Sequence, residues 1–201
     1  MVNDTKVKKS TLNLANRITL GRIFLIPVFV ILILNYESSK PNEGEWLRIL
    51  ANIVFCVTIL TDAVDGFIAR TQGQKTVLGT FLDPIADKLL LMTSIILLSL
   101  TNEKMGYHFP FWFTVLVISR DVFITLGSLL IHILNGSVKI VPSFLGKLTT
   151  AFQMAAISWI LLKWPHPQYL LYLAAFFTVV SGIGYFFFGS RQLNGNVKVG
   201  T

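Results

Sequence analysis

The chain has 201 residues, 53% of them hydrophobic and 13% charged, with a mean hydropathy of +0.66. That balance lies far from the composition of a water-soluble globular domain. It excludes a soluble nucleic-acid-binding module as well, because the net charge of +7 has no soluble basic domain to present it.

Crossing a bilayer takes about 20 apolar residues in a helix, and six runs approach or exceed that length, at roughly 18–36, 47–70, 80–101, 110–134, 143–163 and 168–189. Continuous apolar runs, without the alternation of barrel strands, predict helices. The expected fold is therefore an all-α integral membrane protein with six transmembrane helices, forming one membrane domain over 1–201. A basic segment at about 1–12 (Lys6, Lys8, Lys9) precedes the first run. That run is long and lacks a small-x-small cleavage site, so it reads as a helix rather than a signal peptide. Pro27 falls inside it, and Cys56 inside the second run reads as a small buried hydrophobe. Pro142 opens the fifth run, where its missing N–H matters little. The aromatic cluster GYFFFGSRQ closes the sixth as an interfacial anchor, ahead of a polar tail at about 191–201. His108, His132 and His166 fall near span ends without a second ligand at metal spacing.

The cationic residues orient these spans. With the N-terminus inside, 13 of the 17 Lys and Arg fall on or toward the cytoplasmic side, leaving Lys40, Arg48, Lys104 and Lys163 outside. Both termini are then expected in the cytoplasm.

Four carboxylates interrupt this apolar pattern around the second connection: Asp62, Asp65, Asp83 and Asp87. A carboxylate at a helix centre costs about 2.5–3.5 kcal/mol on insertion scales, so four in hydrocarbon would rival the net stability of a fold. Cations, water or a position near the interface must relieve them. Asp62 and Asp65 are spaced i, i+3, and Asp83 and Asp87 i, i+4, so each pair shares one helical face. The short hydrophilic stretch TQGQKTVLG between them is suited to bringing the two faces together. Such hard oxygen donors suit one or two Mg²⁺ ions, which favour carboxylates, water and substrate phosphates. Asp83-Pro84 also reads as an N-cap followed by the first helical position, which would start the third helix only there. Intramembrane acids also mark ion pathways, so a cation-coupled transporter is the competing use. The neighbouring Arg70 and Lys75 favour a phosphorylated ligand instead.

The order Asp62-x-x-Asp65-Gly66-x-x-Ala69-Arg70, eight residues, then Gly79-x-x-x-Asp83-x-x-x-Asp87 closely resembles the signature of the CDP-alcohol phosphatidyltransferase family. The resemblance extends over nearly the whole chain. It implies six transmembrane helices, a homodimer, a divalent cofactor (Mg²⁺ or Mn²⁺, two ions) and an active site facing the cytoplasm of the bacterial inner membrane. It further implies attack of an alcohol on the lipid-bearing phosphorus of CDP-diacylglycerol, with CMP leaving. Carried onto this chain, Asp62, Asp65 and Asp83 are the main metal ligands, and Asp87 completes the cluster and acts as general base. Gly66, Ala69, Arg70 and Gly79 line the CDP pocket.

The opening of the first span, NLANRITLGR, carries Asn13, Asn16, Thr19 and Arg22 at three-residue steps. This stripe resembles the one in family members that make phosphatidylglycerophosphate, and it adds Asn16 and Thr19 to the expected CDP-lipid contacts. Arg120 and Lys147 match positions where those members carry cations; two buried cations there would hold a phosphate, making sn-glycerol 3-phosphate the implied acceptor. The residue reading leaves local alternatives: Arg120 pairing with Asp121, and Lys147 reaching to the interface. Arg120-Asp121 and Pro142-Ser143-Phe144 also resemble CMP-forming cardiolipin synthases, whose acceptor is phosphatidylglycerol.

Overall fold

The computed structural model describes residues 14–38, 40, 43–72, 77–101, 105–135 and 144–193. Within the helices it describes the side chains of all but 14–20, 22, 62–72, 77–87, 128–135, 188 and 191–193. Among the described residues the chain is all-α, with six helices and no strand: α1 (Leu14–Ser38), α2 (Glu45–Gln72), α3 (Val77–Leu100), α4 (Phe111–Asn135), α5 (Phe144–Leu161) and α6 (Pro167–Leu193). Each expected span is a helix, its ends displaced by four residues or fewer.

By length and composition, Phe144–Leu161 and Pro167–Phe187 suffice to cross a membrane, while Ile23–Ser38 and Lys88–Leu100 are shorter apolar stretches. The charges of α2 (Glu45, Arg48, Asp62, Asp65 and Arg70) dilute its apolar character. Large apolar side chains nevertheless face outward on every helix, among them Phe24, Ile53, Leu100, Phe123, Phe144 and Phe176.

The capping alternative at Asp83-Pro84 is not the one adopted: α3 begins at Val77, three residues ahead of the expected start at 80, and it continues through Pro84. Pro84 withholds one N–H from the helical ladder. Where water is scarce, unwinding the six preceding residues would expose more polar backbone than that one missing bond. Pro142 lies outside the described residues.

The fold divides into two compact units, Met1–Thr93 and Ser94–Thr201, with the boundary inside α3. In the first unit α1 packs on α2. Phe29, Ile33 and Tyr36 on α1 are buried, as are Ala51, Phe55 and Thr58 on α2, each set at the three-to-four-residue spacing of one helical face. Phe29 meets Phe55 at 5.9 Å between ring centroids. At the end where the connection joins this pair, Tyr36 donates to Glu45 Oε1 at 3.1 Å and Arg48 Nε donates to Glu45 Oε2 at 2.9 Å. Cys56 is half-buried.

In the second unit α6 packs against both α4 and α5. Thr149, Gln153, Ala156 and Ile160 line one face of α5, and Leu171, Ala174, Thr178 and Ser181 one face of α6; all are buried. Where lipid replaces water, close van der Waals packing and internal hydrogen bonds hold such pairs rather than the hydrophobic effect. The polar members make those bonds. Thr149 Oγ1 donates toward the Phe177 carbonyl at 2.9 Å, and Gln153 Nε2 donates to Thr178 Oγ1 at 3.1 Å. The segment before α4 tucks Met105 and Phe109 inward, and Phe109 stacks on Phe113 at 5.0 Å. Burial, and secondarily the Tyr172 phenol, hold the Tyr107 hydroxyl above the ordinary phenol range.

A Schellman turn ends α5. Lys163 stands in the left-handed region at φ 52°, its N–H bonds the Ile160 carbonyl at 2.9 Å, and the Trp164 N–H bonds the Trp159 carbonyl at 3.2 Å. The apolar contact typical of this motif is the edge-on pair Trp159–Trp164, 4.6 Å between centroids. Pro167 then opens α6, where its fixed φ favours the first helical turn.

Candidate active site

Asp62 and Asp65 lie on the continuous helix α2, and Asp83 and Asp87 on the continuous helix α3, all within the first unit. Helical register thus places each pair about one turn apart. Asp65 stands seven residues before the last residue of α2, and Asp83 six residues after the first residue of α3. At about 1.5 Å of rise per residue, the two pairs sit at nearly equal depth from the connection. The side chains of these four residues lie outside those described, as do those of Asn16 and Thr19 on α1, Gly66, Ala69 and Arg70 on α2, and Gly79 on α3. Asn13 precedes the described residues altogether. Among the described residues, no group of three or more His, Cys, Asp or Glu is arranged to hold a metal. His108 and His166 are exposed.

The expected acceptor cations are described, and they differ. Arg120 lies mostly inside the second unit, with 13% of its side chain exposed. Nη1 donates to Asp121 Oδ1 at 2.6 Å, so the local ion pair does form. Nη2 donates to Ser181 Oγ on α6 at 2.6 Å, and the guanidinium carbon lies 5.6 Å from the centroid of the Tyr185 ring. Beneath it, a Cβ built at Gly182 would stand 3.5 Å from Arg120 Cγ, so a bulky residue there would occupy the path of the stem. The third nitrogen, Nε, is buried with no hydrogen-bond partner among the described residues. Lys147, near the start of α5, is exposed, so only one of the two expected buried cations is buried. A long ammonium side chain on an otherwise apolar helix keeps its charge in contact with water.

Sequence reasoning missed the α6 half of this cluster. Ser181 sits in the apolar run TVVSGIG and reads there as a small packing residue, and Tyr185 reads as part of the aromatic anchor. Phe186 and Phe187 are exposed, as an anchor requires, but Tyr185 is half-buried beside Arg120. The only local hint is that Ser181 and Tyr185 are spaced i, i+4 and so share a helical face.

Comparison with known proteins follows the same residues. The chain is 37% identical over 187 residues to the CDP-diacylglycerol–glycerol-3-phosphate 3-phosphatidyltransferase of Bacillus subtilis (strain 168), an alignment covering 87% of this chain and 93% of that protein. It is 32% identical over 153 residues to the protein of the same name from Escherichia coli (strain K12), covering 74% and 76%. The one from Salmonella typhimurium (strain LT2) is 31% identical over 153 residues, with the same coverage. A family profile described as CDP-alcohol phosphatidyltransferase matches residues 12–180, which include all four aspartates, Arg120 and Lys147. That match covers most of the chain and sets the transporter reading aside: the chain belongs to the CDP-alcohol phosphatidyltransferase family, and it is an enzyme.

Proposed function

We propose that the protein transfers the phosphatidyl group of CDP-diacylglycerol to sn-glycerol 3-phosphate, giving phosphatidylglycerophosphate and CMP. The names of the relatives support this substrate pair. The observation that carries the choice of a phosphorylated acceptor is Arg120, a mostly buried cation whose Nε–H has no hydrogen-bond partner among the described residues. A buried charged donor left unmade is costly. An acceptor phosphate would complete it with a charge-assisted bond. Lys147, exposed at the mouth of α5, meets the incoming anion as a mobile charge.

Asp62, Asp65, Asp83 and Asp87 would hold Mg²⁺ or Mn²⁺, two ions, and the donor set fits: four residues with hard carboxylate oxygens, two on each helix, at matching distance along the helices from the connection. Bound there, the divalent charge would offset that of the pyrophosphate and of the departing CMP. The protein's own residues do the rest. Asp87 takes the proton from the acceptor hydroxyl as its oxygen bonds to the lipid-bearing phosphorus and the bond to the CMP oxygen breaks. Gly66 and Ala69, one turn apart on α2, and Gly79 on α3 leave room for the nucleotide, and Arg70 pairs with its phosphate. Asn16 and Thr19 on α1 contact the CDP-lipid.

The setting is a bacterial inner membrane crossed by all six helices, with both termini and the active site on the cytoplasmic side, and a homodimer as the working form. Apolar side chains facing outward on every helix support a lipid surround.

The test is CMP release by purified protein given CDP-diacylglycerol and Mg²⁺, with glycerol 3-phosphate or phosphatidylglycerol supplied separately. Release with glycerol 3-phosphate alone is expected. Release only with phosphatidylglycerol would replace the acceptor, making the enzyme a cardiolipin synthase. Chelation with EDTA should abolish release, and added Mg²⁺ should restore it.

A further inference from the structure

We infer that Ser181 on α6 is a positioning residue for acceptor recognition: it fixes the Arg120 guanidinium so that Nε–H is aimed for the acceptor phosphate. The inference rests on the assignment of Arg120 to that phosphate. Ser181 lies just beyond the stretch, 12–180, that the family profile matches.

Charge is the first consideration. Asp121 sits 2.6 Å from Arg120 Nη1, so the pair together carries no net charge toward an incoming anion. Attraction by bulk charge is largely cancelled. What remains is directional: an N–H with no partner among the described residues, useful only when it points at the place the phosphate will occupy.

Aim is the second. An arginine stem has several rotatable bonds, and Asp121, the adjacent residue on the same helix, restrains just one nitrogen. Ser181 belongs to a different helix, 61 residues away in the chain, and holds the second nitrogen at 2.6 Å. With two nitrogens of a rigid planar group held from two helices, the direction of the third is set. Ser181 is 1% exposed, so bulk water does not reach its oxygen. Its hydroxyl also adds no charge, whereas a carboxylate in its place would repel the phosphate. Tyr185, one turn further on, lies beside the guanidinium, and Gly182 clears the stem.

The experiment measures KM for glycerol 3-phosphate, KM for CDP-diacylglycerol and kcat on the purified full-length chain for four proteins: unaltered, Ser181→Ala, Arg120→Ala and the double variant. Loss of one hydrogen bond to a charged group is expected to raise the acceptor KM of Ser181→Ala about five- to twentyfold, with the CDP-diacylglycerol KM and kcat within about twofold. In the Arg120→Ala background, Ser181→Ala should add nothing, because a positioning residue acts only through the group it positions. Ser181→Thr, which keeps the hydroxyl, should restore the acceptor KM. If Ser181→Ala yields no folded protein, Ser181→Cys is judged by the same criteria. An acceptor KM unchanged in Ser181→Ala but raised in Arg120→Ala overturns the inference and leaves the Arg120 assignment standing. Additive effects in the double variant, or equal rises in both KM values, also overturn it. An acceptor KM unchanged in Arg120→Ala removes the assignment and the inference together.

Discussion

Asp62, Asp65, Asp83 and Asp87 are chemically alike, yet their proposed roles differ, and substitution by the isosteric amide separates them. Asp87→Asn should lower kcat by at least about 100-fold, the scale of a lost general base, while CDP-lipid binding persists. Asp62→Asn should weaken Mg²⁺ binding as well, seen as a higher Mg²⁺ concentration for half-maximal CMP release. Equal Mg²⁺ affinity in the two variants would contradict the division of roles. Lys147→Ala should raise the glycerol 3-phosphate KM with little change in kcat, since an exposed cation that meets the substrate before reaction contributes uniform binding. An unchanged KM would remove Lys147 from the acceptor path. These carboxylates and cations stand out in the sequence as candidates because their penalty in hydrocarbon marks them one residue at a time. Ser181 does not: a serine among valines carries no penalty large enough to notice, and its partner Arg120 is 61 residues away.

The helices themselves were legible because apolar runs of membrane-crossing length admit no other hydrogen-bonded backbone. At the start of α3 a local capping signal, Asp83-Pro84, competed with the backbone's need to stay paired, and the backbone prevailed. The connection from α5 to α6 was expected at 164–167, but its Schellman form was hidden, because the left-handed position after α5 holds Lys163 rather than the glycine that advertises such turns. A side chain there costs about 1–2 kcal/mol. Lys163→Gly should therefore stabilise the protein by roughly 0.5–1 kcal/mol after the greater freedom of glycine in the unfolded chain is counted, provided the Trp159–Trp164 contact is kept. Thermal unfolding in detergent would show it. A lower unfolding temperature would mean that Lys163 contributes more through its own contacts than its backbone costs.

Orientation belongs to the whole chain, because it is decided by the sum of cationic residues on each side rather than by any one of them. In a Cys56→Ser background, a single cysteine at His166→Cys, in the exposed turn before α6, should react with a membrane-impermeant maleimide added outside intact cells. A cysteine introduced at Val199, in the tail, should react only after lysis. The reverse pattern would invert the topology and move the aspartates to the opposite face.

The uncommitted Nε–H of Arg120 also bears on how the empty enzyme compares with the loaded one. Its dehydration has already taken place during folding, so an arriving phosphate surrenders its own water there without stripping any from the protein. Occupancy then relieves a tension built into the interior, and ligand at about 100 times its dissociation constant would add about 2.7 kcal/mol to the folded state. Glycerol 3-phosphate alone should raise the melting temperature of the unaltered protein and leave that of Arg120→Ala where it was. The resting enzyme is, on this view, the looser of its two forms, and saturation with acceptor makes it the more heat-resistant one.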